Sequence, residues 1–139
     1  GESSMRIQNL TAAGRVLLLT ATLLALLTAA VTAQASPSNK WRLQFSGGAN
    51  SDGTIVLLIS PEGGTPIEAS IAIKKGSGEN SVAAAVVKGL KAQLPKDHFK
   101  VERDDGEDVL IKKKYGAPDF DVTIVSNDVK GVRIAPEHE

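Results

Sequence analysis

The arrangement of apolar and polar residues changes its period twice along the chain. Over residues 41–73, apolar side chains alternate with polar ones or form short continuous runs, as is typical of β-strands. An amphipathic helix follows, which Asn80 or Ser81 can cap and which Pro95 ends. The apolar stripe of this helix consists of Val82, Val86 and Leu90, widened by Ala83, Val87 and Leu94. Alternation returns over residues 99–134, so the predicted order of elements is βββαββββ.

This order predicts an α+β fold with one mostly antiparallel sheet of about six or seven strands and a single amphipathic helix on one face. Residues 54–59 are continuously apolar, so we expect a central strand that is covered on both faces. Gly89 inside the helix indicates a close approach of the helix backbone to the sheet. Asp105 and Gly106 predict a two-residue hairpin turn, because this pair accepts the positive φ angles of a type I′ turn.

The buried core is predicted from the apolar positions of these strands and of the helix stripe. It consists of Leu43, Phe45, Ile55, Leu57, Ile71, Val86, Leu90, Val101, Ile111, Val122 and Ile124.

An uncharged, mostly apolar segment, residues 16–35, precedes the strands and follows two arginines. It ends in Ala33-Gln34-Ala35, a small-x-small pattern that signal peptidase recognises, so residues 5–35 are predicted to be a signal peptide and Ser36 the first residue of the processed chain. A retained membrane anchor is the alternative, since about 20 apolar residues can span a bilayer. Residues 1–4 resemble the remnant of an expression tag.

The remaining chain is divided by composition into three parts. Residues 36–40 are predicted to be a flexible N-terminus, residues 41–136 a single α+β domain, and residues 137–139 a tail. The signal peptide predicts an exported protein, located in the periplasm or outside the cell.

Charge and cysteine content exclude several classes of function. The chain has 16 Lys and Arg and 16 Asp and Glu; residues 1–35 hold Arg6, Arg15 and Glu2, so the processed chain keeps 14 and 15, a net charge of −1. This balance argues against nucleic acid as a partner and against attraction to a membrane after cleavage. The chain has no cysteine, which excludes thiol redox chemistry and thiolate metal sites.

The loop before the helix contains Gly76, Ser77 and Gly78, in the pattern G-x-G-x-x-S. A glycine turn at a helix N-terminus can bind an anion through free backbone N–H groups. The third position of the dinucleotide pattern is Ser instead of Gly, and the chain is short for a dinucleotide fold, so we do not predict nucleotide binding. The alternative is a glycine loop with a polar helix cap.

Two further features are candidates for binding. Lys112, Lys113 and Lys114, together with Lys74-Lys75, form a basic patch or else protect a sheet edge against association. Trp41, the only tryptophan, either packs the core at the margin of the sheet or contributes to an interface, where tryptophan is enriched.

Catalytic patterns are sparse. Four carboxylates surround Gly106, as expected of a solvated hairpin tip or of a weak calcium site; they are Asp104, Asp105, Glu107 and Asp108. His98 is the one histidine of the predicted domain around which a catalytic set could assemble, so a small periplasmic enzyme or enzyme accessory domain stays open as an alternative. We expect no catalytic residue, no cofactor and no metal.

Two resemblances add to this interpretation. Residues 53–134 resemble the β-β-α-β-β modules of phage tail sheath and tail-tube-associated proteins, in the segments GTIVLLI at 53–59, IEASIAI at 67–73, NSVAAAVVKGL at 80–90 and DDG at 104–106. The whole chain, with its leader, resembles small exported proteins of Gram-negative bacteria, some of which are seroreactive antigens. The second resemblance implies an exported, antigenic protein and implies no mechanism.

The function expected from the sequence is therefore a non-catalytic binding or interaction module of the cell envelope. Its partner is expected to be a protein or another envelope component, and the module a monomer or a weak oligomer. A single helix leaves part of a broad sheet uncovered. We therefore expect the contact on the sheet face opposite the helix, or on an unprotected strand edge.

Overall fold

The structure, a computed structural model, describes residues 37–139. These residues form an α+β fold of seven strands and one helix. The elements are β1 Lys40–Ser46, β2 Gly53–Pro61, β3 Ile67–Ile73, α1 Glu79–Gln93, β4 Phe99–Asp104, β5 Asp108–Lys113, β6 Phe120–Asn127 and β7 Arg133–His138. The predicted order βββαββββ is confirmed. The predicted signal peptide, residues 5–35, and residues 1–4 lie outside the described residues. No helix within residues 37–139 has the length and apolar character that crossing a membrane requires.

The strands form two antiparallel sheets, so the prediction of one sheet was wrong. The first sheet has the order β4-β5-β1-β7 and the second the order β3-β2-β6. β1 and β2 do not pair, although they follow one another, because the loop between them leads the chain from one sheet to the other. Gly47 in that loop has φ +77°, and an added Cβ would lie 2.1 Å from the carbonyl oxygen of Gly131. Only glycine fits this close approach.

One core lies between the inner faces of the two sheets and the helix. It includes Trp41, Leu43 and Phe45 of β1, and the helix adds four side chains, Val82, Ala83, Val86 and Leu90. Of the eleven residues predicted to be buried, ten are buried, and Ile124 is half-buried against the same core. Fully burying a side chain of this size contributes about 1.5–3 kcal/mol each, so this cluster is the main source of stability.

The helix α1 packs against strands of both sheets, chiefly the edge strands β3 and β4, and therefore closes one side of the core. The close approach predicted at Gly89 is confirmed, since an added Cβ there would lie 2.8 Å from Cγ1 of Ile71. The predicted caps are wrong: the N-cap is Gly78, which makes no side-chain bond, and both Asn80 and Ser81 lie within the first turn.

Two local predictions on the strands also differ from the structure. β2 alternates between buried and half-buried residues, with Val56 and Leu58 on its outer face, so it is covered on one face only. Asp105 and Gly106 have positive φ angles of 48° and 78°, as expected of the turn. The last pair of the hairpin, however, is Asp104 with Asp108, so the loop has three residues instead of two.

Both ends of the described chain pair with strands. Ser38 forms an isolated bridge with Phe120, inside the segment 36–40 that was expected to be flexible. The last strand β7 continues through Pro136 to His138, into the segment 137–139 that was expected to be a tail. Proline is accommodated there because β7 is an edge strand, where a missing N–H need not interrupt a ladder.

Candidate functional site

Trp41 is a core residue in the structure. Its side chain is only 6% exposed, and its indole Nε1–H donates to the carbonyl oxygen of Phe120 at 2.8 Å. The ring of His138 packs edge-on against it at a centroid distance of 5.4 Å. The indole thus joins β1 to the start of β6, and it presents little surface to a partner.

The glycine loop before α1 is packed against the loop between β1 and β2. The N–H of Gly76 donates to the carbonyl oxygen of Ala49 at 2.8 Å, and the carbonyl oxygen of Ser77 accepts from the N–H of Ala49 at 2.8 Å. Gly78 provides the N-cap, and Glu79 places a carboxylate in the first turn of the helix. That carboxylate lies at the helix end whose dipole attracts negative charge, so the helix start has a compensating charge of its own.

The structure separates the two groups of lysines for which a shared basic patch was one of two interpretations. Lys74 and Lys75 precede the start of α1, whereas Lys114 lies beside its C-terminal end, about 20 Å away along a 15-residue helix. The alternative role, edge protection, is also wrong for Lys112 and Lys113, because β5 lies between β4 and β1 and is not an edge strand.

Arg42 binds two of the four carboxylates of the predicted hairpin tip. Its Nη1 lies 2.7 Å from Oδ2 of Asp108 and 3.1 Å from Oδ2 of Asp104, and its Nε lies 2.8 Å from Oε1 of Glu139. These bonds raise the pKa of Arg42, with the Glu139 bond as the largest cause. Within residues 37–139, no group of three or more His, Cys, Asp or Glu side chains is placed to hold a metal ion.

This ion network lies on the outer face of the four-stranded sheet. Leu110 pairs with Arg42 on one side and with Glu102 on the other, and it is buried although it does not belong to the core cluster. Nζ of Lys112 lies 2.6 Å from Oε1 of Glu102 and lowers the pKa of that carboxyl. Long charged side chains therefore cover an apolar residue here, a structural use of charge.

His98 lies in the turn between α1 and β4. Its side chain is half exposed, and its nearest charged group is the carboxylate of Asp97, 3.8 Å from Nε2. Within the described residues no serine or threonine hydroxyl bonds to His98, so the structure assembles no nucleophile and base around it.

A basic groove lies between the second half of α1, strand β4 and the turn after β5. Its volume is about 510 Å³, and it is named the lysine groove for the side chains at its rim, which are Lys88, Lys91, Lys96, Lys100 and Lys114. Its floor consists of Leu90, Leu94, Phe99 and Val101. None of the residues that line it is acidic.

Backbone bonds fix the shape of the lysine groove. Leu94 ends the helix by donating its N–H to the carbonyl oxygen of Leu90, and Pro95 then accepts bonds from the N–H groups of His98 and Phe99. This turn brings β4 back along the helix. The N–H of Lys114 donates to the carbonyl oxygen of His98 at 2.8 Å, which holds the turn after β5 against the end of the groove.

The rim lysines keep their charges largely uncompensated. Among residues 37–139, Lys88, Lys91, Lys96 and Lys114 form no ion pair, and Lys100 lies 3.8 Å from a carboxylate that Lys112 binds more closely. All five are exposed. Five like charges around one groove raise its electrostatic potential and attract anions, which is the arrangement of a binding site for negatively charged groups.

Sequence analysis identified Lys114 as a binding candidate and missed the other four rim lysines. Lys88 and Lys91 are one turn apart on the polar face of the predicted helix, which is typical of a solvated face. Only the return of β4 along the helix brings Lys96 and Lys100 to the same groove. Comparison with known proteins adds no assignment, since no protein-family model and no curated protein matches the sequence.

Proposed function

We propose that this protein is an exported, non-catalytic binding module of the cell envelope, and that the lysine groove binds an acidic glycan chain. The observation that carries the proposal is the set of five exposed lysines around an apolar floor with no acidic residue in the lining. Exported location follows from the predicted signal peptide, residues 5–35.

The floor of the groove indicates what kind of ligand it binds. It is better suited to a polymer chain bound along the surface than to a small molecule enclosed in a pocket. Small-molecule sites commonly bury 70% or more of their ligand. Here Leu94, Phe99 and Val101 are each only 6% exposed, so the floor offers a ligand little apolar surface and the rim lysines supply most of the contact. So little exposed apolar surface also gives no hydrophobic pocket for the side-chain anchor that protein partners use. A charged glycan chain, which is held mainly by its carboxylates, does not require a deep apolar pocket.

The rim favours repeated negative charges over a single fixed phosphate. The rim has lysines and no arginine, so it lacks the rigid fork that holds one carboxylate or phosphate by two bonds. Lysines are point charges on flexible stems, which suits carboxylates repeated along a polymer. A single-stranded nucleic acid also repeats its charges, but its bases bind by stacking on exposed aromatic side chains, and the one aromatic residue of the lining, Phe99, is only 6% exposed.

The test is binding of alginate, a carboxylated glycan, to the 139-residue chain by calorimetry. The triple variant Lys88→Glu, Lys91→Glu, Lys114→Glu should lower the affinity by about threefold to a hundredfold, since three exposed charge contacts are lost and each is worth about 0.2–1 kcal/mol. The matched control is Lys74→Glu, Lys75→Glu, Lys130→Glu, which changes the net charge equally with exposed lysines outside the groove. The control should change the affinity by less than about twofold.

Two outcomes would overturn the proposal. Equal losses in the two triple variants would mean that net charge alone governs binding. Tighter binding of polyaspartate or of single-stranded DNA than of alginate would assign the groove to another class of polymer, and neutral dextran should not bind at all.

A further inference from the structure

The two sheets leave an open side opposite the helix. β6 is an edge strand of the three-stranded sheet and β7 an edge strand of the four-stranded sheet. A groove of about 550 Å³ separates them, and we name it the seam; it is lined by Trp41, Asp121, Val122, Pro136, Glu137 and His138.

The backbone of β6 presents hydrogen-bonding groups to the seam. At one end, the N–H of Phe120 donates to the carbonyl oxygen of Ser38 at 3.0 Å and its carbonyl oxygen accepts from the N–H of Ser38 at 2.9 Å, on the side away from β2. Alternate residues of an antiparallel strand direct these groups to the same side, so those of Val122 and Ile124 also face away from β2. No described residue pairs with them there. β6 thus begins a ladder with Ser38 that the described chain does not continue.

The side chains of β7 at the seam are uncovered. Pro136 is paired with Leu43 and His138 with Trp41, so both lie on the core-facing side of the sheet. Leu43 and Trp41 are buried, but Pro136 and His138 are exposed. A strand laid in the seam would cover these positions and continue the core.

The other edge strand of the three-stranded sheet, β3, has hydrogen-bond partners from outside the sheet, whereas the outward backbone groups of Val122 and Ile124 in β6 have none among the described residues. The side chain of Gln93 accepts from the N–H of Ser70 at 3.1 Å and donates to its carbonyl oxygen at 2.9 Å, as a neighbouring strand would. The helix α1 also packs against β3. Exposed edges are commonly blocked in this way, because they pair readily with other chains.

The charges beside the seam indicate what a partner strand carries. Asp121 of β6 and Glu137 of β7 line it and form no ion pair with any residue of 37–139. Lysine or arginine at the outward positions of an inserted strand would compensate both carboxylates. Its inward positions would be apolar, since they would lie against Val122 and Pro136.

We infer that the seam binds an extended segment of a partner protein, which pairs antiparallel with β6 and alternates apolar and basic residues. This is recognition by strand addition, in which main-chain bonds supply affinity and alternate side chains supply specificity. The inference is independent of glycan binding in the lysine groove.

The test is amide hydrogen exchange of the 139-residue chain by NMR, with a seven-residue peptide that alternates valine and lysine. At saturation the peptide should slow exchange at Val122 and Ile124 by about tenfold or more, because their N–H groups become bonded. The amide of Ser70, which Gln93 already binds, should not change. A second peptide that alternates valine and glutamate should have little effect.

A charge reversal supplies the matched variant. Asp121→Lys combined with Glu137→Lys should reverse the preference between the two peptides, since these exposed or half-buried carboxylates have no other partner among residues 37–139. Slow exchange at Val122 and Ile124 before any peptide is added would show that the chain's own residues fill the seam, and would overturn the inference. An unchanged preference in the variant, or no slowing in the original chain, would also overturn it.

Discussion

The lysines of this protein fall into two regions that differ in how their charge is used. On the four-stranded sheet and its margin, Nζ of Lys40, Lys112 and Lys113 lies 2.7, 2.6 and 3.1 Å from a carboxylate oxygen. Around the lysine groove, no described carboxylate lies within ion-pair distance of four of the five lysines. The first region uses charge to hold strands and cover Leu110, and the second leaves charge available to a ligand.

Three consecutive lysines, residues 112–114, belong partly to one region and partly to the other. Lys112 lies on the outer face of β5 beside Glu102, Lys113 ends the strand beside Asp119, and Lys114 leaves the strand and reaches the groove. Identical side chains in sequence thus have different roles, which depend on where the strand ends. The predictions below change one region at a time.

The largest effect on stability is expected from a substitution in the floor of the lysine groove. Leu90→Ala removes a fully buried floor residue and leaves a cavity, so it should lower the free energy of unfolding by about 2–5 kcal/mol. Lys91→Ala, the adjacent exposed residue, is the control and should change it by less than about 0.5 kcal/mol. Urea denaturation of both variants measures the difference. A loss at Leu90 no greater than at Lys91 would mean that the floor is not part of the core.

A smaller loss of stability is expected in the paired region. Arg42→Met removes the partner of Asp104, Asp108 and Glu139 and leaves the buried carboxylate of Asp108 without its cation. The Tm should therefore fall further than in Lys112→Met, which breaks the one close contact of a half-buried pair. Adding Asp108→Asn to Arg42→Met should restore part of the Tm. No restoration would show that the buried charge is not what the arginine compensates.

The smallest effect concerns pH. The bonds from Lys40, and then from Arg42, lower the pKa of Glu139 from 4.5 to about 2. A carboxyl group whose pKa is lower in the folded chain than in the unfolded chain stabilises the fold at pH values above its unfolded-state pKa. That stability is lost as the pH falls from about 4.5 to about 2. Thermal unfolding of the original chain should thus lose more Tm over this range than that of Glu139→Gln. The difference is small, because solvent screens this partly exposed group. Identical pH profiles would contradict the ion pairs of Glu139.

Much of the local structure is predictable from the sequence, and the pairing of strands is not. Alternation locates the strands and the helix stripe, and Gly89 indicates the contact with Ile71. The alternation of apolar and polar residues does not show which strands pair with each other, so two sheets could not be distinguished from one. The separation depends on the glycine loop at Gly47, where a close approach to Gly131 is visible only in three dimensions.

The candidate sites, too, depend on contacts between residues that are distant in the sequence. Trp41 was predicted either to pack the core or to form an interface, and its hydrogen bond to Phe120 decides for the core. Lys88 and Lys100 belong to different elements and meet only because Pro95 turns the chain back. An unprotected strand edge was one of the contact surfaces expected from the sequence, but the seam itself could not be located, since it arises from two strands that separate into different sheets.

The most direct test of the central claim, that the unpaired lysines form a glycan-binding groove, is an NMR titration of the 139-residue chain with alginate. The account predicts shifts in the amides of residues 88–101 and of Lys114, and a loss of these shifts when salt is raised from 50 to 500 mM, about a threefold shorter screening length. Lys74 and Lys75, equally exposed but outside the groove, should not shift. Shifts of equal size at both groups of lysines, or shifts confined to Lys74 and Lys75, would contradict it.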